Sequence, residues 1–455
     1  MERKYEDLDE IHLDNNLANI MTELNQKIPI YNGAFQIKHD KDIIDLKGEI
    51  WFEWLPKIEI HFSGEITSDS CYWVTLIEKR ELLSLSIDGS DIGHCLVLKD
   101  TISNFILLEG IVEGQAILGD NKIPVSKISF VIPNMRKFHG EKVKKVIQTE
   151  EQQKVYTGLD RLTFNNKDYK ITLYKSSLFN DKFDLISNGI GYIILYSGEY
   201  YIKKGQFSPD KISNLHKCFS HFLSFLNGQR CSPLILQGIH ENKIVWTDYT
   251  GYKVDVYKKV HSWPSSLSTY GLNELWEEFY TLWRNENDKD FLTTVIHWYL
   301  EANANTGFLE GSIVMIQMAL ELIYNWYIIE KKKLIYGKDG ESISASNKLR
   351  LLLSQFSAKS GVPKAFSAMK DYLDLHKDIH DEIELFVQIR NAIIHSQEDK
   401  RKVLSKIPPQ VKFEAQQLGL WYIEISLLNI LKFKGIYHNR CSDKIFTSQR
   451  EEKLP

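Results

Sequence analysis

The sequence predicts an α+β chain of several domains: a β-rich, sandwich-like N-terminal half with a mixed second lobe, then an all-α helical bundle. Three observations carry this. Residues from about 28 to 132 alternate or cluster β-branched and aromatic side chains between turn signals. SWPSSLSTYG (262–271) is a short Pro/Ser linker at which the pattern changes. From 272 onward apolar residues recur at helical spacing. The expected units are a β-rich domain over 1–150, a mixed lobe over 151–264, a bundle over 265–440 and a polar tail over 441–455.

The first half reads as strands at EIWFEWLP, KIEIHFSGEI, YWVTLIE, LLSLSI, NFILLEGIVEGQAIL and ISFVIPN. Strands at this spacing suit a sandwich or barrel rather than βαβ units. Trp51, Phe52, Trp54, Tyr72 and Trp73 are expected in its core. The polar run QTEEQQK (148–154) separates this lobe from the next. The second lobe reads as strands at YKITLYKS, YIILYSGEYYIKKG and KIVWTDYTGYKVDVYK. Between them, SPDKISNLHKCFSHFLSFLNGQR (208–230) is helical, with Ser208 as cap, Pro209 in the first turn and Gly228 after the apolar repeat.

The C-terminal helices are LNELWEEFYTLWRN, DFLTTVIHWYLEANAN, GSIVMIQMALELIYNWYIIEKKK, SNKLRLLLSQFS, the segment holding VQIRNAIIHS, and KFEAQQLGLWYIEISLLNILKF, which stops at Gly435. The third shows Ile313, Ile316, Met318, Leu320 and Ile323 on one apolar face. Such helices joined by short loops form an up-down bundle. There is no internal repeat and no low-complexity tract.

At 455 residues the chain exceeds one ordinary domain; about 150 residues per unit predicts about three. A hydrophobic content of 43% with 25% charged residues is that of a soluble globular protein. The net charge of −4 gives no global basic field, so a nucleic-acid site would be a local patch. The acidic N-terminus MERKYEDLDEIHLDNN lacks a signal-peptide core. No stretch reaches the ~18 uninterrupted apolar residues of a membrane span. Cys71, Cys95, Cys218, Cys231 and Cys441 are scattered and form no CxxC pair, which favours a reducing cytoplasm. A cytoplasmic protein without a membrane segment is expected.

VQIRNAIIHS (387–396) places Arg390, Asn391 and His395 in an otherwise apolar helix. That helix is expected to start near Asp378 as cap, with Asp381 and Glu382 in its first turn. Its apolar positions are Ile379, Ile383, Phe386, Val387, Ile393 and Ile394, and Arg390 falls on the line 383–387–390–394. An unpaired buried guanidinium costs several kcal/mol, on the order of 3 or more, so it needs a partner, water or an interface. Glu321, in the apolar face of its own helix, is a candidate partner. Asn391 and His395 share a face, whereas His395 is about 140° round from Arg390 on an ideal helix. The plain structural alternative is an arginine paired with a buried acid and a histidine hydrogen-bonded at a helix end. DKRKVLSK (399–406) follows, with Lys400, Arg401, Lys402 and Lys406. It is either a local phosphate-binding patch or a solvated loop.

RNAIIH resembles the signature of the HEPN superfamily, an Arg followed by a polar residue and then, four to six positions after the Arg, by a His. MALELIYN (318–325), NKLRLLL (347–353) and LKFKGIYHNR (431–440) are similar to the corresponding stretches of ApeA-like phage-defence proteins, in which a β-rich domain precedes a HEPN bundle. DLKGEIWFEWLP (45–56) resembles the Gly–Trp–Leu–Pro strand that opens that N-terminal domain, with the tryptophan pair split into Trp51 and Trp54. The resemblance implies a homodimeric, metal-independent endoribonuclease acting on RNA as a toxin-like effector. Its β-rich half would hold it inactive until a phage-derived trigger arrives.

RNA carries its own nucleophile, the 2′-OH beside the scissile phosphate. The enzyme must supply a base for its proton and a cation for the charge developing on phosphorus. His395 suits the first task, since an imidazole titrates near neutral pH. Arg390 suits the second, as a permanent cation able to grip two phosphate oxygens. Asn391 would orient His395 or a phosphate oxygen, and Lys400, Arg401 and Lys402 would bind RNA. A two-fold axis would pool two arginines and two histidines in one cleft. The rival expectation is a non-catalytic HEPN dimer serving as an RNA-binding or protein-interaction module.

Other motifs offer less. His376 and His380 have zinc-compatible spacing but lack HExxH and a third ligand, so they read as residues near a helix cap. ENK (241–243) is similar to the acidic-x-Lys element of metal-dependent DNA nucleases, but without a preceding aspartate it reads as a hairpin turn. LIYGKDGES (334–342) lacks the GxxxxGK[ST] loop, and there is no GxSxG elbow. Neither metal nor cofactor is expected.

Overall fold

The computed structural model describes residues 10–12, 20–39, 42–67, 74, 81–102, 105–148, 153–265, 267–304, 309–337, 339–357, 361–395 and 397–455. The chain divides into two compact units. One comprises residues 1–136, 140–220 and 231–259, the other 137–139, 221–230 and 260–455.

After a short β1 (Glu10–His12), the first unit opens with a closed barrel. It is built from β2 (Ile28–His39), β3 (Asp42–Glu53), β4 (Glu59–Ile66), β5 (Leu83–Ile87), β6 (Ser90–Ile102) and β7 (Ile106–Glu113), in the order β2-β3-β4-β7-β6-β5. Alternation points Phe35, Ile37, Ile44, Leu46, Phe52, Phe62, Leu83 and Leu85 into its core. This corrects the sandwich expectation. Alternating strands serve either architecture. Closure depends on bends that alternation does not encode, such as the irregularities at Pro29/Tyr31, Leu85/Ser86 and Val97/Lys99. Gly110 allows one tight contact, because a Cβ there would lie 2.2 Å from the Leu96 carbonyl oxygen. Phe52 and Trp54 are core residues as expected. Trp51 is only half-buried. Its ring stacks on His61 at 5.7 Å with the Lys27 ammonium 4.6 Å from its centroid. Tyr72, Trp73 and all of YWVTLIE except Val74 lie outside the described residues.

A nine-stranded sheet completes this unit, in the order β1-β10-β11-β12-β13-β9-β14-β15-β8. Its other strands are β8 (Ile117–Gly119), β9 (Lys127–Pro133), β10 (Glu141–Gln148), β11 (Gln153–Asn165), β12 (Tyr169–Lys175), β13 (Ile194–Ile202), β14 (Leu234–His240) and β15 (Lys243–Asp248). QTEEQQK is therefore no separator: Gln148 and Gln153 are partners in adjacent strands of one sheet. ISFVIPN lies inside this sheet as β9, between β13 and β14. Helix α1 (Phe179–Asn188) precedes β13, and α2 (Pro209–Asn227) follows it. Ser208 Oγ accepts from the Lys211 N–H at 3.4 Å, and Gly228 takes φ +73°. ENK is a tight turn, with Glu241 and Asn242 both left-handed at φ 47° and 62°.

The second unit holds α3 (Leu272–Trp283), α4 (Glu286–Asn303), α5 (Leu309–Tyr324), α6 (Asp339–Ser342), α7 (Ala345–Ser354), α8 (Ser367–Leu375), α9 (Glu382–Ile394), α10 (Glu398–Lys406) and α11 (Pro409–Ile430). Helix α5 widens into π geometry over Asn325–Lys331. The stretch Leu309–Lys331, although interrupted by Glu310, Glu321 and Glu330, is long and apolar enough by length and composition to cross a membrane. Here its Ile313, Ile316, Gln317, Leu320 and Ile323 are buried in the protein, while Met318, expected on the buried face, is exposed. Helix α11 is buried along most of its length, its Glu414, Gln416, Glu424 and Ser426 included. It ends at Ile430, and Lys432 turns the chain at φ 53° before Gly435 is reached. The tail returns as β17 (Glu451–Lys453), paired antiparallel with β16 (Ile436–His438).

Candidate functional site

Helix α9 carries the candidate residues, and its start is fixed by Asp381. That carboxylate accepts the Glu384 N–H at 2.8 Å and is held by Arg350 at 2.7 and 2.8 Å. Asp381, not Asp378, is the cap, because the chain is still turning over Lys377–His380. Burial alone would push the Asp381 carboxyl up; the Arg350 hydrogen bonds and the Glu384 N–H outweigh it and hold the group below the usual range.

The helix buries Ile383, Leu385, Phe386, Val387, Ile389 and Ala392 as it packs against α5, α7 and α11. Its line 383–387–390–394 runs outward, so that Ile394 is 43% exposed. Arg390 sits where this line leaves the core, with 22% of its side chain exposed. Its Nη1 donates to Asn391 Oδ1 at 3.0 Å, and its Nη2 stands 3.8 Å from Glu321 Oε1. Its buried Nε has no hydrogen-bond partner among the described residues. Glu321 Oε1 also accepts from Gln317 Nε2 at 2.8 Å. Gln317, Glu321 and Tyr324 share one face of α5 by helical spacing. Gln317 Oε1 and the Tyr324 hydroxyl are likewise buried without a partner among the described residues. The Lys348 ammonium lies 5.6 Å from the Tyr324 ring centroid.

The Glu321 partnership inferred from the sequence is thus present but loose. At 22% and 37% side-chain exposure it belongs with surface pairs worth about 0–1 kcal/mol. The multi-kilocalorie cost of a sealed, lone guanidinium does not arise in full, since Arg390 reaches solvent.

His395 closes α9 and is exposed, its N–H donating to the Asn391 carbonyl at 3.0 Å. Among the described residues its imidazole makes no hydrogen bond, ion pair or ring contact. The structure brings the Arg390, Asn391 and Glu321 side chains together, while among the described residues the His395 imidazole makes no hydrogen bond or ion pair with them. The basic run is a helix, α10, not a loop. Lys402 pairs with Glu398 at 2.6 Å, Lys400 lies 4.0 Å from Asp399, and no residue of α10 is buried. Two acids, Glu398 and Asp399, open the helix ahead of its cations.

His376 and His380 do not converge. His376 Nδ1 is 2.8 Å from the Tyr372 carbonyl oxygen, and His380 Nδ1 is 2.7 Å from Glu384. Among the described residues no group of three or more His, Cys, Asp or Glu side chains is placed to hold a metal ion. Sequence reasoning passed over Gln317, Tyr324 and Lys348. The signal was available, because 317, 321 and 324 follow helical spacing and Lys348 lies in NKLRLLL.

A family model described as the YopA C-terminal domain matches residues 285–451, and one described as the YopA central domain matches residues 120–260. The first spans α4 to the start of β17, the second β9 through β15. The chain is similar to an uncharacterized SPbeta prophage-derived protein YopA of Bacillus subtilis (strain 168), at 25% identity over 437 residues, 92% of each chain. No solved structure matches it.

Proposed function

We propose that the helical unit is a HEPN-type, metal-independent endoribonuclease, acting as a homodimer in the cytoplasm in phage defence. The observation that carries this reading is Arg390: a guanidinium at the end of a packed helix, solvent-reachable, with its Nε unpartnered among the described residues. A phosphate oxygen would complete that fork. The matched families are described only as YopA domains, so the ribonuclease reading rests on RNAIIH and the geometry around it. The relative's prophage origin fits a protein used in conflict between phages.

The 2′-OH attacks the adjacent phosphorus, passing its proton to His395. The P–O5′ bond breaks, giving a 2′,3′-cyclic phosphate and, after protonation of the leaving oxygen, a 5′-OH. Arg390 binds the charged phosphate oxygens, and Asn391 holds the guanidinium through Nη1. A positioned base contributes ~10²–10⁴ in rate, and a placed cation a similar factor. Because no hydrogen bond or ion pair joins Arg390 and His395 among the described residues, a second copy supplies the missing partner in this scheme. A strict monomer in solution that still cuts RNA would sink the dimeric site. The chemistry is tested by incubating the full-length protein with RNA and sequencing 5′-OH ends, which the reading requires to accumulate.

The runner-up, a non-catalytic HEPN dimer that binds RNA or protein, is favoured by the isolation of His395. RNA bound but left intact under every condition supports it.

A further inference from the structure

We infer that Glu321 is an internal counterion for Arg390, a positioning residue that holds the guanidinium in reserve and yields it to an incoming phosphate. This rests on the ribonuclease reading of Arg390. Three observations support it. At 3.8 Å the Arg390–Glu321 contact is an ion pair without a close hydrogen bond, so it is exchangeable. The Glu321 carboxylate is held by Gln317, fully buried, whose Nε2 donates at 2.8 Å to the same Oε1 that faces Arg390. Arg390 retains an unpartnered Nε beside the two nitrogens already engaged, so its present contacts leave it under-satisfied. A phosphate offering two oxygens to the fork gives better geometry than one carboxylate oxygen at this distance. RNA would therefore displace Glu321 rather than add to it, and the carboxylate would set the threshold for binding.

The test uses full-length protein and a 2′-deoxy oligonucleotide that cannot be cleaved, with affinity read by fluorescence anisotropy. Glu321→Gln removes the charge and keeps an acceptor for Gln317. It should tighten binding by up to about fivefold, the range of a weak ion pair. In an Arg390→Ala background the same substitution should change nothing. Glu321→Asp keeps the charge and should bind like wild type. With cleavable RNA, Glu321→Gln should lower KM by more than it alters kcat. Unchanged or weaker binding in Glu321→Gln, or the same gain with and without Arg390, overturns the inference. Coupling between Glu321 and Arg390 in a protein that never cuts RNA upholds it while ending the ribonuclease reading. Cleavage that needs Arg390 but shows no coupling does the reverse.

Discussion

Arg440 and Glu424 form a two-pronged ion pair inside the helical unit, Nε to Oε2 at 3.0 Å and Nη2 to Oε1 at 2.5 Å, with both side chains almost wholly sealed from solvent. The remaining groups are satisfied too. Tyr299 donates to Glu424 at 2.7 Å, and Arg440 donates to Asn303 at 3.0 Å and Gln417 at 3.2 Å. Asn303 in turn donates to the carbonyls of Gly228 and His261, each at 2.8 Å. Arg440 is thus the arginine that needs its acid, and Arg390 is not.

Removing either partner strands a buried charge. Arg440→Ala and Glu424→Ala should each destabilise the protein by about 3–5 kcal/mol. Denaturant titration of the purified variants measures this, and a loss below about 1 kcal/mol would contradict the sealed network.

Arg390→Ala and His395→Ala should behave in the opposite way. Neither side chain is sealed, and the Glu321 pair is weak, so unfolding free energy should fall by no more than about 1 kcal/mol. RNA cleavage and toxicity should be lost in both. Melting and cleavage measured on the same two proteins decide the matter. A folded, fully active His395→Ala protein ends the ribonuclease assignment.

Asp381 should matter to stability through the start of α9. Asp381→Ala removes a cap and the Arg350 pair, costing about 1–2 kcal/mol. The Asp381 carboxyl is depressed in the folded state. Its contribution is therefore present above the unfolded value, about 3.9, and is lost as pH falls through the folded value. The stability gap between wild type and Asp381→Asn should be widest above about pH 5 and close in stronger acid. A gap that grows on acidification would reverse the sign and refute the assignment.

Cleavage should continue in excess EDTA, because the 2′-OH mechanism assigns the proton and the charge to side chains. A substrate with 2′-deoxy at the scissile nucleotide should be inert. Activity lost to chelation and restored by magnesium would sink this scheme.

Lys400→Ala, Arg401→Ala and Lys402→Ala together should weaken RNA binding without stopping chemistry. The slope of log affinity against log salt should fall by about 0.7 for each phosphate contact removed. Lys402 is tied to Glu398, so its share should be the smallest.

The bundle was legible because its helices are long and periodic, and α2 because its cap, Pro209 and Gly228 carry local signals. The barrel was not separable from a sandwich, since closure depends on irregularities such as that at Val97/Lys99 rather than on alternation. Lys432 ended α11 where Gly435 was the expected stop, because a lysine at φ 53° leaves no mark in sequence. Arg390 stood out as a charge among apolar residues, and its tie to Glu321 followed from the same logic. Glu424, a lone acid in WYIEIS, carried an equal signal. Its partner lies beyond the end of the helix, where spacing arguments do not reach.

Residues 221–230 belong to the helical unit although residues 231–259, which separate them from 260–455, belong to the other. Phe222 meets the Trp276 and Phe279 rings at 5.2 and 5.4 Å, Phe225 meets Trp263 and Tyr299 at 5.1 and 5.8 Å, and Gly228 supplies the carbonyl that Asn303 uses. A gene fragment starting at the Pro/Ser linker would omit Phe222, Phe225 and Gly228 and with them every one of these contacts. Dissection by deletion would then report the loss of a fold and be misread as the loss of a regulator, so separating the two halves calls for point substitutions or an engineered cleavage site in the intact chain.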